Sequence, residues 1–273
     1  MKNPFKKIKE RMHMEDREQP FLEHLEAFRK MFIRCVVTIA AGTAICIPFA
    51  KPVLRWLQAP ILETAAQTGT HFELITTTPV EGFLQVVKVI FATGVLISLP
   101  LVIFFIAQFV MPGLKPAERK VLIYGGIAGA ILFAGGVALC YIITLPIAVS
   151  VMFFFNDYLG TVANWKIEKY LGFVLQLLIG FGLAFELPLF LLIAGRMGLV
   201  TVDQLTHYRR HVIIGILVIA MFLTPPDVVT QLQMAIPLYI LYECCILILR
   251  LTLRRKEKEN EETETSDKEG SEK

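Results

Sequence analysis

Charge is scarce in this 273-residue chain, at 19% of the residues against 55% hydrophobic. That balance excludes an ordinary soluble domain of this length and points to a polytopic membrane protein with a largely lipid-facing core. Cysteine is scarce too: Cys35, Cys46, Cys140, Cys244 and Cys245 fall in apolar runs, without the spacing of a metal or redox site, and read as packing residues. No internal repeat of about 20–50 residues is visible, which removes the usual sign of an inverted-repeat transporter. Catalytic equipment is equally thin. No serine or aspartate pair stands inside the apolar runs as an intramembrane hydrolase would need, and Gly125-Gly126-Ile127-Ala128-Gly129 lacks a P-loop lysine. Those glycines lie in an apolar run, where small residues let helices pack closely. Nothing calls for a metal, a cofactor or a nucleic-acid partner.

What is present is a series of apolar stretches at 31–50, 84–111, 121–145, 170–194, 212–223 and 233–250. Four are long enough to cross a hydrocarbon core of about 30 Å as helices. The fifth, Val212 to Leu223, would rise only about 18 Å and ends at Thr224-Pro225-Pro226-Asp227. Following four full spans and preceding another apolar segment, it reads as half of a short transmembrane hairpin beside a thinned membrane. Six all-α spans result, the last two short.

Lysine and arginine are unevenly placed. Residues 1–30 carry eight, the 112–120 connection three, and 195–211 has Arg196, Arg209 and Arg210. The alternate connections 51–80, 146–169 and 224–230 are poorer, so the positive-inside rule puts both termini in the cytoplasm. The start of the chain lacks the small-residue cleavage site of a signal peptide, and a bacterial cytoplasmic membrane is the simplest address. Residues 1–20 read as a basic cytoplasmic segment, 21–253 as the six-span domain, and 254–273 as a charged cytoplasmic tail. Glu257 to Lys273 holds eight acids against three lysines and nothing apolar, which predicts disorder.

Polar residues inside or beside the spans are the functional candidates. Glu186 lies deep in the 170–194 run, and an intramembrane carboxylate usually marks a pathway or binding surface. It can serve as a buried helix–helix hydrogen bond or as a contact in a groove. His207 and His211 are four apart and could share a helix face, but they flank Tyr208-Arg209-Arg210 without a carboxylate co-ligand and read as basic membrane anchoring. Glu23, His24 and Glu26 precede the first span, and Glu118 sits in PGLKPAER, residues 112–119. Glu26 can pair with Arg29 or Lys30, and Glu118 with Arg119, at tenths of a kcal/mol. Alternatively these acids form a patch that attracts adjacent arginines, since guanidinium and carboxylate pair bidentately. Pro48, Pro100, Pro112, Pro146, Pro188 and Pro237 can bend the spans around a concave, lipid-facing surface suited to a peptide helix.

Five separated motifs resemble the TatC family, the core receptor subunits of the twin-arginine protein translocase: PFLEHLEAFRK (20–30), TPVEGF with Lys88 following (78–88), FVMPGLKPAER (109–119), FGLAFELP (181–188) and LTPPDVVTQ (223–231). The resemblance covers about residues 18–255. It implies six helices in a concave, glove-like arrangement that holds Glu186 inside. It also implies that the first cytoplasmic loop and the start of the first span bind the paired arginines of folded cargo's signal peptides. That role carries over to Glu118 with Phe109, Pro112, Leu114 and Arg119, assisted by Glu26 or Glu23. Met221, Thr224 and Gln231 are implied to form a polar site for single-span TatA/TatB-type partners, and self-association in the receptor complex is implied as well. The chain departs from the family's pattern at Ala27, which stands where a glutamate linked to arginine binding is usual, at Phe105 in place of glutamine, and at Lys166 in place of an acid. On a helix Glu26 lies about 100° from position 27.

These readings converge on a non-enzymatic translocase receptor driven by the proton-motive force. The alternative they leave is a proton-coupled small-solute transporter using Glu186 as its proton carrier.

Overall fold

A computed structural model describes the backbone of residues 4–69, 72–110, 116–161, 164–196, 200–224 and 228–271, and side chains within 22–251 apart from Glu23, residues 110–124, Arg196 and the gaps between those segments. Helix α1 (Pro4–Cys46) passes through a 3-10 turn at Ile47–Phe49, opened by Pro48, into α2 (Ala50–Thr68). Then come α3 (Glu81–Val110), α4 (Pro116–Leu139), a π-helical segment (Cys140–Thr144), α5 (Leu145–Tyr158), α6 (Ile167–Arg196), α7 (Val202–His207), α8 (Arg209–Leu223) and α9 (Val228–Ser271). Among the described residues five helical stretches are long and apolar enough to cross a membrane. The short fifth span of the sequence reading is α8, whose 15 residues rise about 22 Å.

Three departures from the sequence reading have physical causes. First, the all-α fold carries one small ladder that the sequence did not announce: β1 (Glu73–Ile75) pairs in parallel with β2 (Asn164–Lys166), Leu74 opposite Trp165. The ladder joins two connections at one end of the bundle. Phe72, Phe153 and Trp165 pack there with ring centroids 4.9–5.4 Å apart, burying aromatic surface that would otherwise favour neither loop.

Second, two stretches read as connections are helix. In α2 the buried residues Leu57, Pro60, Ile61, Thr64 and Ala65 recur at helical spacing, giving an amphipathic element rather than a span. Tyr170 donates to the Leu57 carbonyl at 2.8 Å and ties α2 to α6. The third span does not stop near Thr144, because the π segment re-spaces the backbone just before Pro146 and lets helix continue to Tyr158. Third, α9 (Val228–Ser271) extends beyond both ends of the apolar stretch read at 233–250. A helix already formed by the preceding span propagates readily through residues rich in Glu, Lys and Arg.

Helix α6 is the axis of the molecule. Of its most apolar window 61% is buried, against 17–33% for the other spans. Leu171, Val174, Leu177, Leu178, Phe181 and Ala184 form the centre of the core. Glycines permit close approaches: Gly94 of α3 lies against the Thr43 backbone of α1, Gly136 of α4 against the Phe181 carbonyl, and Gly180 of α6 against the Leu223 carbonyl. The sequence reading of small-residue packing holds at Gly126 and Gly129, which face Phe104 and Glu186.

Candidate functional site

At the end of the bundle away from the ladder, α3 closes on α1 through rings. Phe109 stacks on His24 at 4.8 Å between centroids and meets Phe28 edge-on at 5.7 Å. A cavity of about 210 Å³ opens beside this contact, lined by His24, Ala27, Lys30, Arg34, Phe105 and Gln108 among others. Ala27 and Phe105, two departures from the family's pattern, are thus both wall residues. The smaller and the apolar side chains leave the cavity floor without a carboxylate among the described residues. Glu26 is not among the residues that line the cavity; its Oε1 lies 2.8 Å from Nζ of Lys30, an exposed pair one turn apart on α1. Such a pair holds Glu26 only weakly, at tenths of a kcal/mol.

Phe109 is the described member of the signal-binding set at this junction. Glu118 and Arg119 fall in the first turn of α4, but their side chains, like that of Glu23, lie outside the described residues, and Pro112 and Leu114 lie outside them entirely. The expected acidic patch therefore has Glu26 as its one described acid.

Glu186 is 2% exposed and sits in the second half of α6, facing α4. A Cβ on Gly129 would stand 2.8 Å from its Oε2, so glycine is what makes room for the carboxyl group there. Beside it is a gap of about 30 Å³ lined by Pro100, Phe104, Gly126 and Leu189, roomy enough for a water but not for a solute. Among the described residues Glu186 has no hydrogen-bond or ion-pair partner. Of the two roles weighed for it, the helix–helix hydrogen bond finds no partner among the described residues.

At the α8–α9 hairpin, Met221 is exposed while Thr224 is buried and its hydroxyl donates to the Ala220 carbonyl at 2.8 Å. Gln231 Nε2 donates to the Leu217 carbonyl at 2.9 Å, joining α9 to α8. Thr224 is thus satisfied within its own helix and Gln231 closes the hairpin, leaving Met221 as the member that faces outward.

The sequence reading treated Glu186 as the lone intramembrane acid and passed over Glu243, within the YILYECCIL run of α9. Glu243 accepts from Arg209 at 2.9 Å and from the Tyr239 hydroxyl at 3.0 Å. Arg209 is the first residue of α8, where the helix dipole disfavours a cation, and Glu243 supplies the compensating charge. The available signal was a charge inside an apolar run paired in number with Arg209 outside another. His207 and His211 both meet Tyr208 edge to face, at 5.2 and 5.5 Å, and no group of three metal-ligating side chains occurs among the described residues.

Comparison with known proteins follows the same lines. Residues 23–237 match the family model described as TatC, Sec-independent protein translocase protein. The chain is 34% identical over 237 residues to the Sec-independent protein translocase protein TatC of Carboxydothermus hydrogenoformans, covering 86% of this chain and 94% of that protein. It is 30% identical over 233 residues to that of Escherichia coli K12, covering 85% and 88%. A crystal structure titled twin arginine translocase receptor TatC superposes with a TM-score of 0.70 at 33% identity, over 84% of this chain and 98% of that one.

Proposed function

The chain belongs to the TatC family of Sec-independent protein translocase proteins, and from that premise we propose that it is the receptor of a twin-arginine translocase in a bacterial cytoplasmic membrane. It performs no covalent chemistry. Both termini face the cytoplasm, the paired arginines of a folded cargo's signal peptide are read at the junction of α1, α3 and α4, and TatA/TatB-type single-span helices assemble on the α8–α9 hairpin. Copies of the receptor associate, and the proton-motive force drives transport.

The junction of α1 with α3 is the observation that carries this reading. Phe109, stacked on His24, leads the chain directly into the segment that ends with Glu118 and Arg119 at the start of α4. A carboxylate from Glu118, in the segment that follows Phe109, would offer arginine a bidentate acceptor, and the Phe109 ring a face to stack on. Glu26, held only by exposed Lys30, is free to exchange partners.

A photoreactive group at Gln108, on the cavity wall, tests it in native membranes with a twin-arginine signal peptide. Crosslinking should fall about tenfold when the two arginines become lysines, and by a similar factor in Glu118→Ala. Undiminished crosslinking in Glu118→Ala would remove Glu118 from the site, and equal crosslinking of the lysine peptide would remove arginine recognition altogether. A solute-sized path for the competing transporter reading finds no support at Glu186, where the gap is about 30 Å³.

A further inference from the structure

Near the ladder end, α3 carries a second polar set that the receptor reading leaves unused. Glu81, Gln85 and Lys88 stand four and three residues apart, on one side of the helix. The first is accounted for at one oxygen: Glu81 Oε2 accepts from the Thr77 amide at 2.6 Å, the Thr77 hydroxyl at 2.9 Å and the Thr78 amide at 3.2 Å, which caps α3, while its Oε1 is buried without a partner among the described residues. Gln85 is 6% exposed and its Oε1 is buried without a partner.

Lys88 differs from both. It is exposed about two turns, or 10 Å, below the start of α3, and its Nζ lies over Gly172 of α6, 3.6 Å from where a Cβ would stand. One turn further along α6, Gln176 is also exposed, about 14 Å into the span. Among the described residues neither side chain has a hydrogen bond or ion pair. A lysine can snorkel along its stem to a headgroup, but the short side chain of Gln176 cannot reach one from that depth. Lipid tails satisfy neither group, and an intramembrane cation of this kind is by default a binding site.

We propose that Lys88 and Gln176 form a docking surface for a transmembrane helix that carries one Asp or Glu about eight residues in from the ladder side. A carboxylate at that depth accepts from the Lys88 ammonium and the Gln176 amide together, which a phosphate at the membrane surface does not. The surface is built from α3 and α6 and is separate from Met221, Thr224 and Gln231 on the hairpin, so it stands or falls independently of the partner site assigned there.

The probe is a synthetic helix of about 20 apolar residues with one Glu at that position, and matched peptides with Leu there or with Glu moved to the far end. The full chain, with a photoreactive residue at exposed Leu84 beside the surface, is reconstituted in phosphatidylcholine vesicles. The Glu peptide should crosslink about tenfold better than either control. Lys88→Met should abolish that preference, Lys88→Arg should keep it, and Gln176→Leu should weaken it several-fold. Equal capture of all three peptides overturns the proposal, and so does a preference that survives Lys88→Met. Crosslinking that moves to a photoreactive residue at Phe222 on α8 instead would overturn the location. Loss of the Glu preference in phosphatidylglycerol vesicles, with the anionic lipid crosslinking at Leu84 in a Lys88-dependent way, would assign the surface to a lipid phosphate rather than to a helix. Retained binding by Lys88→Arg guards against misreading a misfolded Lys88→Met.

Discussion

A buried carboxyl group without a partner costs free energy, on the order of 1–3 kcal/mol by mutational measures, and among the described residues Glu186 is such a group. The surroundings do nothing to recover that cost: Gly129, Pro100, Phe104 and Leu189 offer it no side-chain donor. Replacing it with leucine, which has a similar volume, should therefore raise thermal stability in detergent by about 1 kcal/mol while export by cells supplied with the partner proteins falls. Stability and export falling together would show instead that the carboxyl group is a structural element, bridged by water in the adjoining gap. The position of Glu186 was legible in the sequence because one acid in a long apolar run stands out. Its lack of a partner was not, since that depends on α4 presenting glycine rather than a donor at position 129.

The α8–α9 hairpin shows what pairs of elements add beyond single residues. It is fastened at both ends, by Gln231 on the Leu217 carbonyl near the turn and by Arg209 and Tyr239 on Glu243 at the far end. The Arg209 and Glu243 side chains are 42% and 32% exposed, which keeps their mutual gain near that of a partly screened pair. Arg209→Leu and Glu243→Leu should each destabilise the protein, and their double-mutant cycle should return a coupling of about 1 kcal/mol in thermal unfolding. A coupling indistinguishable from zero would mean that Tyr239 alone holds Glu243. The four long spans and the short hairpin could be read from hydropathy, because a bilayer imposes length and apolarity directly. The amphipathic α2 could not be found that way: its buried stripe from Leu57 to Ala65 has helical period but only moderate apolarity. The ladder of three-residue strands was still less legible, since its pairing joins residues about ninety positions apart and is held by Phe72, Phe153 and Trp165 from three segments.

For the whole molecule, the unequal lengths of the helices become an argument about sidedness. The 15 residues of α8 and the stretch of α9 from Val228 to Glu243 both rise about 22 Å, so Arg209 and Glu243 meet at one common level. Beyond that level α9 stays apolar to Leu249 and packs on α6 and α7, with Leu249 against Gly195 and the Tyr242 hydroxyl donating to the Leu205 carbonyl at 2.7 Å. A bilayer must thin beside the hairpin while keeping its thickness along α6, and the basic residues at the level of Arg209 and Arg210 then sit among headgroups. If basic residues set the orientation, that level is cytoplasmic and the ladder lies on the other side. Single cysteines placed at exposed Thr161, beside the ladder, and at exposed Asp203 in α7, in a chain otherwise free of cysteine, read this directly. In intact spheroplasts a membrane-impermeant maleimide should label Thr161→Cys and leave Asp203→Cys unlabelled until the membrane is broken. The reverse pattern would turn the molecule over, carry the junction of α1 and α3 away from the cytoplasm, and end the reading of that junction as the place where cargo is first met.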